Sequence, residues 1–164
     1  MAAAPKSNGV IIFALLLLVS TLIHIHKLVF DVKDYVFFYS YLPPWLTATR
    51  YAFSWCQRAV GLLVAVGLLA QKDIARKAGI GVGLFTIATI YWKHPAEGFR
   101  LHAQLLDERF GQLTARMGFP EITFSSLAVP SAIVHCAGDI LFWCIFIYFF
   151  TRPSVKAQFQ PNKY

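Results

Sequence analysis

The sequence has few charged side chains and lacks the motifs that mark common catalytic and metal sites. Only 14% of its 164 residues are charged, whereas a soluble domain carries about 25%. This deficit, together with several long uncharged runs, places the chain among integral membrane proteins. The three cysteines form no CxxC pair and stand at no zinc spacing with histidine. The sequence therefore predicts neither a disulfide framework nor a metal site.

Acidic residues are especially scarce, with eight against fifteen Lys and Arg, so the formal net charge is +7. In a soluble protein such an excess would suggest nucleic-acid binding. Here most of the cations lie in short segments beside apolar runs, where they set topology or contact anionic lipid. We therefore expect contacts with lipid and no binding of nucleic acid.

The usual signatures of hydrolytic catalysis are also missing. The sequence contains no HExxH motif, no nucleophile–base pair, no paired catalytic carboxylates and no phosphate-binding loop. These are the constellations from which an active site is normally recognised. No catalytic residue is predicted, and a role other than catalysis is the main expectation.

Four apolar stretches have the length of a membrane-spanning helix. About 20 residues cross the hydrocarbon core, and the sequence predicts spans at 9–28, 45–70, 74–92 and 127–150. The segment DVKDYVFFYSYLPP, between the first two, is too short and too broken to cross, and its aromatic residues favour the interface. The expected fold class is an all-α, integral membrane four-helix bundle in a single domain, 1–164.

One further segment, 96–117, is clearly amphipathic and is predicted to form an additional helix between the third and fourth spans. Its apolar residues recur at alternating spacings of four and three, which produces a continuous stripe on one face. The stripe is expected to dock on the mouth of the bundle or on a partner protein. The residues assigned to partner docking are Phe99, Leu106, Phe110, Leu113 and Met117.

The distribution of Lys and Arg predicts how the chain is oriented. The turn after the second span and the C-terminal tail hold six of the fifteen cations and one acid, Asp73. In the segment after the third span, cations and acids balance. The positive-inside tendency then places both termini and the turn at 71–77 in the cytoplasm. The expected location is a bacterial inner membrane.

The polar side chains of the predicted spans occupy one half of each span. Antiparallel threading brings these halves to the same depth, and polar groups inside hydrocarbon usually turn inward and often mark a site. In chain order they are Ser20 and His24; Arg50, Ser54 and Arg58; Thr86, Thr89 and Lys93; and Ser131, His135 and Asp139.

Two opposite charges within this set, Arg58 and Asp139, are expected to approach each other inside the bundle. Either charge alone would be costly in lipid, and bridging them neutralises both. With Ser54 and Ser131 they form the predicted buried polar cluster. A pair of this kind can also do no more than fix the register of the helices, and that alternative stays open.

Two histidines, His24 and His135, fall at similar depth on different helices. This is the arrangement that a bis-imidazole haem b requires. Alternatively, Asp139, one turn from His135, orients that imidazole and no haem is bound. A quinone is another candidate occupant, because the sequence supplies hydrogen-bond donors near one membrane face together with apolar walls.

The stretch YLPPWLTATRYAFSWCQRAVGLLVAVGLLAQKDIARKAGIGVGLFTIATI carries a family resemblance. Its Tyr-x-x-Leu-Pro-like entry, its GLLxxxGLL-like second helix and the short basic turn that leads to the third helix resemble the DoxX/MauE-type group of small four-helix bacterial membrane proteins. The resemblance covers about a third of the chain. In much of that group an acidic residue precedes the glycine run, whereas Gln57 and Arg58 stand here. The resemblance implies a four-helix bundle that accompanies redox and quinone-linked machinery.

Together these features favour a non-catalytic accessory or assembly subunit of a larger, redox-linked membrane complex, respiratory or photosynthetic. Small size, the missing catalytic set and the apolar stripe support this expectation, and its partners would be other membrane subunits. The alternative is a small redox carrier that binds haem b or a quinone in a polar pocket in the outer half of the bundle.

Overall fold

The computed structural model describes residues 7–117 and 124–159, without the side chains of residues 91, 109 and 111–116. Within those ranges the chain is helical and contains no strand, which confirms the predicted all-α class. The helices are α1 Asn8–Phe30, α2 Val32–Phe38, α3 Pro44–Leu69, α4 Asp73–Ala88, α5 Ile90–Lys93, α6 Ala96–Arg116, α7 Ala128–Thr151 and α8 Pro153–Lys156. Short 3₁₀ turns occupy Phe124–Leu127 and Ala157–Phe159.

Three helical stretches are long and apolar enough to cross a membrane: α1, α3 and Phe124–Thr151, which contains α7. The sequence also predicted a span at 74–92, the third in chain order, as a single helix. The prediction of a single helix is wrong. α4 has 16 residues, about 24 Å at the usual rise, and the chain leaves α-helical geometry at Thr89 before α5 begins. The Thr89 hydroxyl donates to the Phe85 carbonyl at 2.8 Å, a local bond of the type that competes with the helix ladder and bends it.

The turn between α3 and α4 is tight. Gln71 adopts a positive φ of 54°, and the Lys72 N–H donates to the Gly67 carbonyl at 2.9 Å. Such a left-handed residue with a backward hydrogen bond ends a helix in little space. Gly67 is needed here, because a Cβ at that position would stand 2.5 Å from the Cβ of Ala75.

One end of the bundle is closed by aromatic side chains from α1 and α7. The ring of Phe13 on α1 meets Phe146 edge-on, with centroids 5.7 Å apart, and lies 5.0 Å from the ring of Phe149. Phe146 and Phe150 are fully buried. Aromatic rings of this size contribute much of the burial energy of a small core. This end, called the aromatic end below, fixes the distance between α1 and α7.

α4 joins the aromatic end through small residues and one buried arginine. Gly79 and Gly83 let the helix approach Phe146 and Trp143 closely, since added Cβ atoms would stand 2.9 and 2.7 Å from those rings. The buried Arg76 donates to Asp73 at 2.7 Å and to the Phe150 carbonyl at 3.0 Å. The start of α4 is therefore bonded to the end of α7.

α2, α5 and α6 cluster around the opposite end of the bundle. α6 packs on α7 and on α2, where Phe99 meets Phe38 edge-on at 5.3 Å. The Asp107 carboxylate accepts hydrogen bonds from the backbone N–H of Phe124 at 2.5 Å and of Ser125 at 3.1 Å, and from the Ser125 hydroxyl. α6 is thereby bonded to the 3₁₀ turn that leads into α7.

Candidate functional site

The end of the bundle opposite the aromatic end contains a cavity of about 380 Å³, called the polar cavity below. Such a volume suits a small molecule, because ligand pockets measure roughly 300–1,000 Å³. α1, α2, α3, α5 and α6 all contribute side chains to it. The lining residues are His24, Lys27, Leu28, Asp31, Asp34, Tyr35, Phe38, Tyr39, Ser54, Gln57, Arg58, Lys93, His94 and His102.

Arg58 is the least satisfied polar side chain of this cavity. Its Nε is buried and has no hydrogen-bond partner among the residues that the structure describes. A buried donor without an acceptor costs about 1–3 kcal/mol. The Arg58 side chain therefore has unused capacity to donate a hydrogen bond.

The predicted contact between Arg58 and Asp139 is replaced by another arrangement. Asp139 Oδ2 accepts a hydrogen bond from Lys93 Nζ and a second from His94 Nε2 at 3.0 Å. Arg58 lies near enough to be attracted by the Asp139 charge but forms no ion pair with it in the described part of the chain. The physical reason is the break at Thr89, because it packs α5 against α7 and brings Lys93 and His94 to Asp139.

α2 contributes phenol groups to the polar cavity. The hydroxyls of Tyr35 and Ser54 share a hydrogen bond of 3.1 Å, and the Tyr39 hydroxyl donates to the Lys93 carbonyl at 3.2 Å. Burial raises the pKa of both phenols above its ordinary value. Both groups therefore remain protonated at neutral pH and are able to donate hydrogen bonds.

The two histidines predicted as haem ligands have different surroundings. His24 lines the polar cavity, and its Nδ1–H donates to the Ser20 carbonyl at 2.7 Å, so Nε2 is the nitrogen left for another partner. His135 is exposed and is not among the residues that line this cavity. Its ring stacks on that of His94, with centroids 5.8 Å apart, and lies 5.4 Å from the ring of Phe99. Of the two predicted haem ligands, only His24 therefore lines the polar cavity.

A second, smaller cavity of about 40 Å³ lies deeper in the bundle. It shares Gln57, Arg58 and Lys93 with the polar cavity, and Trp143 lines it as well. Two buried threonines contribute to its wall, Thr21 and Thr86. Of the remaining predicted cluster, Ser54 lines the polar cavity, whereas Ser131 is half-buried and lines neither space.

The stripe assigned to partner docking is partly used by the chain itself. Phe99 packs on Phe38, and Leu106 is half-buried. The distal part is more open: Phe110 is 43% and Met117 60% exposed, although Phe110 also contacts Phe124 at a centroid distance of 6.4 Å. The side chain of Leu113 lies outside the described part of the chain.

Sequence reasoning missed three features of the site. Tyr35 and Tyr39 were assigned only to an interfacial stretch, although their four-residue spacing places both on one side of a short helix. His94 was not predicted to belong to the site, yet its Nε2 donates a hydrogen bond to Asp139. Arg50 belongs to the predicted polar set, but its contact with aromatic rings was not foreseen. Only the tyrosine spacing was a usable signal.

Comparisons with protein-family models, curated proteins and solved structures gave no match. The described residues define an all-helical protein with three helices long and apolar enough to cross a membrane. Its candidate site is defined by the geometry of the polar cavity.

Proposed function

We propose that this chain is a membrane-embedded binding protein whose polar cavity holds the oxygen-bearing head of a small molecule. The observation that supports the proposal most strongly is Arg58 Nε, a buried donor without a partner among the described residues, at the wall of a cavity of about 380 Å³. An acceptor oxygen on the ligand removes the cost of that orphaned donor. Charge-assisted hydrogen bonds of this kind are roughly twice as strong as neutral ones.

The chemistry of the other lining groups favours the same ligand class. Lys27 and Lys93 add positive charge, and Tyr35 and Ser54 add hydroxyl groups. Asp31 and Asp34 are the acids of the lining, and both are exposed. The ligand head that suits these groups is a carboxylate or a carbonyl, and a quinone head belongs to the second kind. The predicted haem pair is not brought together, because His135 does not line the polar cavity, and His94 Nε2 is already bonded to Asp139. We therefore favour the oxygen-bearing head.

Native mass spectrometry of the full chain, extracted from its own membranes in mild detergent, tests the proposal. The wild-type chain should carry a bound molecule with a carbonyl or carboxylate head, and Arg58→Met should lose it. The matched control is Arg100→Met, because Arg100 is exposed, does not line the polar cavity and is bonded to Glu97, one turn away on α6, at 2.6 Å. Retention of the same mass by Arg58→Met would refute the binding role of Arg58.

We propose further that four helical stretches cross the membrane, with α4 and α5 together forming the remaining span. Both termini would face the cytoplasm of a bacterial inner membrane, and the polar cavity would lie toward the opposite face. In a variant without native cysteines, Lys72→Cys should react with an impermeant maleimide from the cytoplasmic side only. Asp34→Cys should react from the outer side only, and the reverse pattern would contradict this orientation.

A role as an accessory subunit of a larger membrane complex, redox-linked as the resemblance to DoxX/MauE-type proteins implies, is the second candidate. The observation that favours it is the exposure of Phe110 and Met117 at the distal part of α6. The double variant Phe110→Glu/Met117→Glu should separate the chain from larger subunits on a native gel. Gln104→Glu, also exposed on α6, is the control and should leave migration unchanged. Equal migration of both variants would contradict docking at this surface.

A further inference from the structure

A further space, separate from the two cavities described above, lies on the outer side of the bundle between α3 and the α4–α5 segment. It is a groove of about 270 Å³, called the lateral groove below. Its lining residues are Thr49, Arg50, Phe53, Phe85, Thr89 and Trp92. Phe53, Phe85 and Trp92 are 40%, 47% and 51% exposed, and α3 is apolar enough to cross a bilayer. In a membrane these aromatic side chains would border acyl chains.

A small cavity of about 30 Å³ stands between the lateral groove and the polar cavity. It shares Arg50, Phe53, Thr89 and Trp92 with the groove, and it shares Tyr35, Tyr39, Ser54, Gln57 and Lys93 with the polar cavity. The three spaces therefore follow one another from the outer surface to the interior. The middle one, called the constriction below, has about the volume of a single water molecule, so the route is narrowed at this point.

The guanidinium of Arg50 contacts two aromatic rings and closes the constriction. Its guanidinium carbon lies 4.3 Å from the centroid of Tyr39 and 4.7 Å from that of Trp92. Such cation–π contacts are worth about 0.5–2 kcal/mol each, which is weak enough to break and re-form. Trp92 belongs to α5, a helix of four residues that is separated from α4 by Thr89 and ends at Lys93. The aromatic partner of Arg50 therefore sits on a short segment with a break at each end.

We propose that Arg50, Tyr39 and Trp92 form a lateral gate through which a single-chain amphiphile enters the polar cavity from the bilayer. The inference rests on the proposed function, since the oxygen-bearing head occupies the polar cavity beside Arg58. The apolar chain of the ligand remains in the lateral groove against Phe53 and Phe85. A head on one chain fits this series of spaces, and both a fatty acid and an isoprenoid quinone have that form.

Two matched pairs of probes test whether the chain of the ligand contributes to binding. They are decyl-benzoquinone with benzoquinone, and decanoate with acetate, titrated by calorimetry against the full chain in lipid nanodiscs. Once partition into empty nanodiscs is subtracted, the chain-bearing member of at least one pair should bind about tenfold tighter or more, because its chain gains packing contacts with the aromatic rings of the groove. Binding of the benzoquinone pair would identify the head as a carbonyl, and binding of the decanoate pair would identify it as a carboxylate.

Filling the lateral groove should weaken the binding of the chain-bearing probe alone. Thr49→Trp places an indole in the groove and should weaken that probe about tenfold by displacing buried methylenes. Binding of the chain-free probe should not change. Ala48→Trp is the matched control, because Ala48 is an exposed neighbour that does not line the groove. Equal effects of the two variants on the chain-bearing probe would overturn the groove assignment.

Removing the indole ring of Trp92 from the gate should change the rates at which the chain-bearing probe binds and dissociates. Trp92→Ala should raise the association and dissociation rates of the chain-bearing probe severalfold, while Trp45→Ala, at an exposed tryptophan at the start of α3, should not. Unchanged rates in Trp92→Ala would overturn the gate. Equal affinities for the chain-bearing and chain-free probes would overturn this inference and leave the proposed function standing. Failure of all four probes to bind would overturn the proposed function and the gate with it.

Discussion

Alanine substitutions at two glycines of α4 should have opposite effects on stability. A Cβ at Gly79 would stand 2.9 and 3.1 Å from two atoms of the Phe146 ring and 3.1 Å from a methyl of Val64. Phe146 is fully buried and packs 4.4 Å from Phe150, so it has little room to move. A Cβ at Gly81 would meet nothing within 4 Å. The two positions therefore differ in packing and share the same helix.

The expected change in the free energy of unfolding follows from two opposing contributions, helix propensity and packing. Ala is favoured over Gly in a helix interior by about 0.8–1.0 kcal/mol, and this gain applies to both variants. Overpacking at Gly79 costs about 1–3 kcal/mol. The propensity gain cancels in the comparison, so Gly79→Ala should be less stable than Gly81→Ala by about 1–3 kcal/mol. For a chain of this size each kcal/mol moves Tm by about 2–4 °C.

Thermal unfolding in detergent, followed by circular dichroism, measures this difference. Gly81→Ala should melt at or above the wild-type temperature, and Gly79→Ala should melt several degrees below Gly81→Ala. Equal melting temperatures of the two variants would refute the close approach of α4 to the aromatic end.

Two further predictions concern bonds outside the polar cavity. Arg76→Met should lower the free energy of unfolding by about 1.5–3 kcal/mol, because the Phe150 carbonyl and Asp73 lose charge-assisted hydrogen bonds. The exposed Lys77→Met should change it by less than about 1 kcal/mol, and similar losses in both variants would contradict the buried role of Arg76. The hydrogen bonds from the Ser125 hydroxyl and nearby backbone N–H groups lower the pKa of the Asp107 carboxyl. Its stabilising contribution is therefore present above the ordinary carboxyl pKa and is lost as pH falls through the lowered value. Melting temperatures from pH 7 to pH 3 should show a drop in the wild type that is smaller in Asp107→Asn, and identical profiles would contradict that linkage.

Length and hydropathy located the long helices well. The spans predicted at 9–28, 45–70 and 127–150 correspond to α1, α3 and α7, with boundaries that differ by at most two residues. These helices depend on local apolar composition, which the sequence displays directly.

The break at Thr89 could not be predicted from apolar periodicity, because the residues on both sides continue the pattern. The α5 residues beyond the break contact α7, and such long-range contacts are not visible in a local pattern. The partner of Asp139 depends on that break. Spacing placed Arg58, Lys93 and Asp139 at a common depth but could not say how far each helix is rotated about its axis.

α2 shows the same limit. Its aromatic residues indicated an interfacial position, but the direction in which a seven-residue helix folds is decided by long-range bonds. Tyr35 reaches Ser54 and Tyr39 reaches the carbonyl of Lys93. These partners lie 19 and 54 residues away along the chain, so no local pattern reports them.

The titration that tests the binding claim most directly compares wild-type chain with Arg58→Met in lipid nanodiscs, using decyl-benzoquinone and decanoate as probes. If the guanidinium donates to the head of the ligand, losing this charge-assisted bond, worth about 1.5–3 kcal/mol, should weaken binding about tenfold to a hundredfold. The exposed Arg100→Met should bind like the wild type. Equal affinities in the wild type and Arg58→Met would contradict a binding role for Arg58.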